Sequence, residues 1–362
     1  MAGGPEPPDG GTPAPAPDRP AEAWARRRPA ADRVYRGCLA ATLALTAAAA
    51  WSALGGGGAI PGTPRVGLEA VARIAVGITV VWFLWGWLWY GIRSLLLARV
   101  VGLSKDERRT VFRSRMDGTF DLAGLLARHS ERRIRIVDMI GRRGRFITIS
   151  SMGFGYIYAR ILERPTPEFL SAGMQEGLID AVALSWTMLA IYRSNGFLGR
   201  LLYGAQMRIM DGTLARANCL LITTLWSVAR FVIIPIGGQI ARVYPPSEYA
   251  AVFAFVWLSY VAGDAASEVV GSLFGRQKLR VWGIGDVNRK SVAGTWACFL
   301  AAFALCAGIA AAQGLPAPWY ALALAVAVSS TAFELLSPRG TDDVTMIIGN
   351  ALVCWAFGAF AL

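Results

Sequence analysis

The run EYAAVFAFVWLSYVAGDAASEVVGSLFG, residues 248–275, is apolar along most of its length and carries two carboxylates, Asp264 and Glu268, towards its C-terminal end. A bilayer core of about 30 Å is crossed by roughly 20 apolar residues of α-helix, so this stretch reads as a membrane span with acidic groups at one edge. Asp264 and Glu268 are four residues apart and share a helix face, with Tyr260, Ser267 and Gly271 close to the same stripe. Carboxylates at a membrane edge are costly to bury and pair with charge, metal or substrate. A packing seam with a capping carboxylate is the plain explanation for such a stripe. Oxygen ligation of a hard cation such as Mg²⁺ is the functional one.

The rest of the chain agrees with a lipid solvent. Of 362 residues 55% are hydrophobic and 17% charged, and the mean hydropathy is +0.44, which excludes a soluble globular enzyme. Further spans are expected at 38–58, 67–91, 146–163, 171–192, 218–241, 293–313, 319–336 and 344–362, giving an all-α, polytopic integral membrane protein of about nine transmembrane helices. Residues 1–33 are rich in Pro, Ala, Gly and Asp and read as a disordered cytoplasmic tail with no leader to be removed. Residues 34–214 form an N-terminal membrane region, and residues 215–362 a C-terminal one.

The formal charge is +12, and the basic set is 33 Arg against three Lys. Between 93 and 145 there are 14 basic and six acidic residues, so the positive-inside rule puts this segment, and with it the N-terminus, in the cytoplasm of a cell-membrane protein. Anionic lipid, not nucleic acid, is the partner expected for that charge. The segment ERRIRIVDMIGRRGR within it reads as a cytoplasmic face. The five cysteines lie in or beside apolar runs without CxxC spacing and read as small buried hydrophobes. His129 stands alone in an Arg-rich stretch, which argues against histidine catalysis.

After residue 250 the acidic residues are Asp264, Glu268, Asp286, Glu334, Asp342 and Asp343, all at or beside two polar loops, 276–292 and 337–343. Alternation of spans puts both loops on the cytoplasmic face. The first loop, GRQKLRVWGIGDVNRKS, supplies Arg276, Lys278, Arg280, Arg289 and Lys290 among glycines. Arg forks, point-charge Lys and accessible backbone N–H groups suit phosphate, although a plain positive-inside loop carries the same charges. The GxxxxGK[ST] spacing of a P-loop is absent.

Three fragments carry a resemblance: GDAASEVVGSLFGRQKL at 263–279, KSVAGT at 290–295 and ELLSPRGTDDVT at 334–345. In order, spacing and apolar setting they resemble the CTP-dependent polyprenol, dolichol, phytol and diacylglycerol kinases of membranes, which are related to phosphatidate cytidylyltransferases. The resemblance covers about residues 215–362. It implies that Asp264, Lys290, Ser291, Asp342 and Asp343 serve CTP and metal. Ala293 stands where that family often has Glu, and Asp343 where Asn is common. The basic-basic-x-x-His element of many phytol-kinase-like members is missing; the upstream segment ERRIRIVDMIGRRGR either takes over part of its work or, on the plainer reading, is simply a cytoplasmic face. SPRGTDD also lacks the histidine and acidic spacing of the cytidylyltransferases, which favours the kinase branch.

The expected function is therefore phosphoryl transfer from CTP to a lipid alcohol that enters from the bilayer. Phosphoryl transfer depends mainly on positioning and charge neutralisation, so it needs no histidine. Asp264, Glu268 and Asp342 are the expected Mg²⁺ ligands. Arg276, Lys278, Arg289, Lys290 and Ser291 are expected to bind nucleotide, and Asp264, Lys290, Asp342 and Asp343 to act in catalysis. Cytidylyl transfer to a lipid phosphate is one alternative, and a noncatalytic transporter or scaffold the other. A transporter would hold its ionisable groups near the midplane, where only Glu176, Asp180 and Arg230 are expected.

Overall fold

The structure is a computed structural model, and it describes residues 20–54, 68–112, 120–163, 167–194, 196–283, 289–338 and 340–361. Twelve α-helices occur among these residues. In the N-terminal half they are α1 (Pro20–Leu54), α2 (Leu68–Leu96), α3 (Lys105–Phe112), α4 (Leu122–Arg128), α5 (Glu131–Glu163), α6 (Pro167–Ala190) and α7 (Phe197–Gln206). The C-terminal half holds α8 (Ala215–Val243), α9 (Tyr249–Leu273), α10 (Val292–Ala312), α11 (Pro318–Leu336) and α12 (Asp342–Phe360). Strands β1 (Lys278–Arg280) and β2 (Arg289–Ser291) form one antiparallel hairpin between α9 and α10. The chain is thus an all-α multi-pass membrane protein.

Six stretches among the described residues are long and apolar enough to cross a membrane: Val80–Val101, Ile209–Val243, Pro246–Leu273, Val292–Ala312, Pro318–Leu336 and Asp342–Phe360. The expected count of about nine is not reached on this measure. The other three expected spans fall in α1, α5 and α6, which are long helices of mixed composition. In α6 the described apolar stretch is limited to Ala181–Ala190, and α5 begins with the arginines of ERRIRIVDMIGRRGR. Positions 55–58 and 67 of the expected spans lie outside the described residues.

Two boundaries differ from expectation. The tail expected to run to residue 33 is helical from Pro20, while residues 1–19 lie outside the described residues. Proline is favoured in the first helical turn, and the AEAWARRR that follows is rich in strong helix formers. The Arg-rich segment is the start of α5, which runs unbroken from Glu131 to Glu163.

Helix α9 is the most enclosed of the six spans. It packs against α5, α10, α11 and α12. Tyr249, Phe255, Tyr260, Trp319, Leu322 and Met346 share one core there, and Tyr244 from α8 donates its hydroxyl to the Cys354 carbonyl at 2.7 Å. A second core joins α6, α7 and α8 through Met188, Tyr192, Leu202, Tyr203 and Leu220. Helix α8 packs on α1 and α6 on one side and on α12 on the other, so position 215 starts a helix without breaking the packing. All five cysteines are buried and unpaired.

Candidate functional site

The site is built where α9 ends, the hairpin turns and α10, α11 and α12 come together. Strand pairing sets Lys278 opposite Ser291, Leu279 opposite Lys290 and Arg280 opposite Arg289. Ser291 is the N-cap of α10, its Oγ accepting from the Gly294 N–H at 3.1 Å, as a serine commonly does at a helix start. The hairpin lies close on α9. A Cβ at Gly294 would stand 2.6 Å from the Ser267 carbonyl oxygen, and one at Gly271 2.7 Å from Ser291 Oγ. The motif glycines therefore allow backbone-to-backbone approach, so part of the small-residue stripe is indeed a packing seam.

Lys290 enters this junction from β2. Its Nζ stands 3.2 Å from Asp342 Oδ2 and 3.3 Å from Glu334 Oε1, and Ser267 donates to the same Glu334 oxygen at 2.8 Å. Burial works against the lysine's charge, but the Asp342 and Glu334 carboxylates outweigh it and raise its pKa above the ordinary lysine value. Asp342 and Asp343 occupy the first turn of α12, where the helix dipole favours anions. The turn before them needs Gly340 at φ +97°, with Asn218 packed against it, a backbone conformation that glycine adopts without cost.

Helix α5 brings in residues that sequence reading had left on the surface. Arg143 clamps Asp264 with both terminal nitrogens, one at 2.6 Å, and its Nε donates to Glu268. Arg142 donates to the other Glu268 oxygen. Arg208 reaches the same place from the loop after α7. That loop is braced from below: Arg93 pairs with buried Asp138, whose second oxygen accepts from the Ile209 N–H at 2.8 Å.

Two cavities meet at Arg143 and Arg208. The first is a polar cleft, lined by Asp264, Glu268, Lys278, Arg289, Lys290, Ser291 and Asp342, with Arg135, Ser267 and Glu334. The second is a chamber, walled by apolar and aromatic side chains such as Trp82, Phe146, Leu184 and Trp226 and reached by Arg145 and Asp343. Asp342 and Asp343 are adjacent in sequence yet line different cavities.

Most of the expected site residues therefore line one cleft. Arg276 does not. It is exposed and borders a neighbouring surface hollow with Arg132, Arg135, Phe274 and Lys278. Lys278 borders both; its Nζ donates to the Gly271 carbonyl at 3.0 Å, and burial together with Arg135 lowers its pKa. Asp286 lies outside the described residues, as do the side chains of Glu176 and Asp180. Sequence reading missed Arg142, Arg143 and Arg208, and gave Ser267 and Glu334 no role. Two buried carboxylates one helical turn apart do demand cationic partners, but 33 arginines offered too many candidates.

The arginines also change the expected metal set. Both oxygens of Asp264 and both of Glu268 are held by guanidinium groups. Among the described residues no three Asp, Glu, His or Cys side chains stand close enough to cage a metal. Other buried carboxylate oxygens without a hydrogen-bond partner include Asp342 Oδ1, Asp343 Oδ1 and Glu334 Oε2. Mg²⁺ commonly takes one or two carboxylates and completes its shell with phosphate and water. Asp342, which faces the polar cleft, fits that demand, and Asp264 and Glu268 as held here do not.

No protein-family model matches the chain, and no solved structure matches it at a significant level. Among curated proteins, a phytol kinase of Synechocystis sp. is 32% identical over 107 residues, a stretch that is 29% of this chain and 44% of that kinase. The chain is thus similar to a phytol kinase over less than half of that protein's length.

Proposed function

We propose that the protein is a membrane lipid kinase that transfers a phosphoryl group from a nucleoside triphosphate, CTP, to a lipid alcohol of the prenol or diacylglycerol type. The observation that carries this reading is the meeting of a cationic cleft and a largely apolar chamber at two shared arginines, Arg143 and Arg208. A triphosphate and an apolar acceptor need separate environments and one point of contact. The partial similarity to a phytol kinase supports the same class, as does the resemblance of the three C-terminal fragments.

In this reading the triphosphate lies in the polar cleft. Lys290, Lys278 and Arg289 neutralise its oxygens, and the N-terminus of α10 behind Ser291 adds backbone N–H groups and a favourable dipole. Mg²⁺ bound with the nucleotide would be held by Asp342 and would neutralise charge on the phosphate oxygens. Arg143, fixed by Asp264 and Glu268, and Arg208 face the transferred group from between the two cavities. Preorganised charge of this kind is commonly the largest contribution to rate. Asp343, whose Oδ1 is buried without a partner, accepts a hydrogen bond from the acceptor hydroxyl and orients it. The site faces the cytoplasm of the cell membrane, where nucleotide is available.

The test is transfer of label from γ-labelled CTP or ATP to a panel of prenols and diacylglycerol by the purified full chain. Labelled lipid with CTP supports the reading, and preference for ATP changes the donor. In a parallel assay with α-labelled CTP and a lipid phosphate, labelled lipid would replace phosphoryl with cytidylyl chemistry, and no transfer in either assay would return the chain to the scaffold class.

A further inference from the structure

We infer that the chamber beside Arg143 is a binding site for a lipid monophosphate, with its phosphate at Arg145 and its chain along Trp82, Phe146 and Trp226. The chamber lies largely in the N-terminal half, outside the fragments that carry the kinase resemblance. It borrows Asn218, Trp226 and Arg230 from α8, and Asp343 from α12. On the kinase reading, on which only the direction of the chemistry rests, this ligand is the class of molecule that the reaction yields.

The decisive residue is Arg145. It is 3% exposed and lines the chamber. Among the described residues it has no carboxylate partner. With the Gln206 amide turned so that its oxygen faces the guanidinium, the terminal nitrogens donate to it at 2.7 and 2.9 Å; the guanidinium lies 4.6 Å from the centre of the Trp82 ring, and its Nε has no partner. A buried cation is strongly penalised unless an anion compensates it. Arg142 and Arg143, three and two residues earlier on the same helix, show that compensation by Glu268 and Asp264; Arg145 lacks it. A neutral alcohol would leave the deficit in place, whereas a phosphate accepts from a guanidinium fork in the geometry that Arg provides.

The walls set the rest of the ligand. Ring faces and aliphatic side chains from α2, α5, α6 and α8 surround the cationic end. An inorganic phosphate would leave these walls unfilled. A phosphate on a single apolar chain satisfies both ends of the chamber.

Calorimetric titration of the full chain in detergent with farnesyl monophosphate, farnesol and inorganic phosphate tests this. Farnesyl monophosphate should bind at least about tenfold more tightly than either of the others, the factor expected of one charged hydrogen bond. Arg145→Gln should erase the preference over farnesol while leaving farnesol's own affinity in place, and Arg145→Lys should restore much of it. Equal binding of alcohol and monophosphate overturns the inference, as does inorganic phosphate binding as tightly as the lipid. A preference that survives in folded Arg145→Gln also overturns it. The ranking in the unmodified chain needs no variant, so loss of folding in Arg145→Gln leaves the test intact. Absence of γ-phosphate transfer would sink the kinase reading and leave this ranking standing.

Discussion

Arg143 of α5 grips Asp264 of α9 through two terminal nitrogens while its Nε holds Glu268 one turn further along. One guanidinium thus spans both carboxylates of the acidic stripe, and both partners of the Arg143–Asp264 pair are at most 5% exposed. It ties the N-terminal half to the C-terminal bundle at the place where the two cavities meet.

Removing one side of this pair leaves an uncompensated buried charge. Arg143→Ala should destabilise the protein by about 3–5 kcal/mol, read as a large drop in thermal unfolding midpoint in detergent. Asp264→Asn with Arg143→Met should lose much less than the sum of the two single variants. Additive losses would show that the groups do not act as a unit.

Asp264→Asn keeps side-chain size but removes the charge that fixes Arg143. Turnover should fall by about 10²-fold or more, the usual cost of losing a key electrostatic group, with the protein still inserted. Activity within a few-fold of the parent would make Asp264 a purely structural member of the packing seam.

Lys290→Ala should raise the apparent KM for nucleotide by about 10- to 100-fold and change that for lipid little. The lysine lies in the polar cleft and does not line the chamber. If the contact strengthens during transfer, the loss moves to kcat. Parallel losses for both substrates, with reduced yield, would mean that separating Asp342 from Glu334 is the lysine's main task.

Helix α3 supplies a pH-dependent element away from the site. Ser104 and Glu107 form a capping box, Glu107 Oε2 accepting from the Ser104 N–H at 2.9 Å and Ser104 Oγ from the Glu107 N–H at 3.2 Å. The Ser104 backbone N–H, aided by His129, lowers the Glu107 pKa despite partial burial. The cap's contribution is therefore present above the unfolded glutamate value of about 4.3 and is lost as pH falls through the lower folded value. Hydrogen exchange in α3, corrected for intrinsic rate, should show protection fading over that window, and Glu107→Gln should flatten the profile.

The polar loops at 276–292 and 337–343 meet in space, as the 3.2 Å approach of Lys290 to Asp342 shows. Both should be cytoplasmic. Single cysteines at Gln277 and Pro338 should react with a membrane-impermeant thiol reagent only after cells are opened. The five native cysteines, all buried, should contribute little background. Labelling of either loop in sealed cells would remove the cytoplasmic site.

The sequence by itself determined the solvent, the helical class and the C-terminal set of polar groups. Each of these follows from composition or from spacing along one element: apolar length for the spans, a four-residue interval for Asp264 and Glu268, clustered basic residues for the hairpin. It missed the start of α1 at Pro20, where a proline and its neighbours admit both a tail and a helix start. Only the tertiary structure decided which of the arginines are buried and what they hold. Arg142 and Arg143 cover the carboxylates expected to bind metal, whereas Arg145, on the same helix, lines the chamber without a carboxylate partner. Neighbouring residues point about 100° apart around an α-helix, as 3.6 residues per turn require. Adjacent arginines of identical chemistry can therefore serve separate environments, and local pattern carries no record of which helix packs against each face. Asp342 and Asp343 divide between the cleft and the chamber for the same reason.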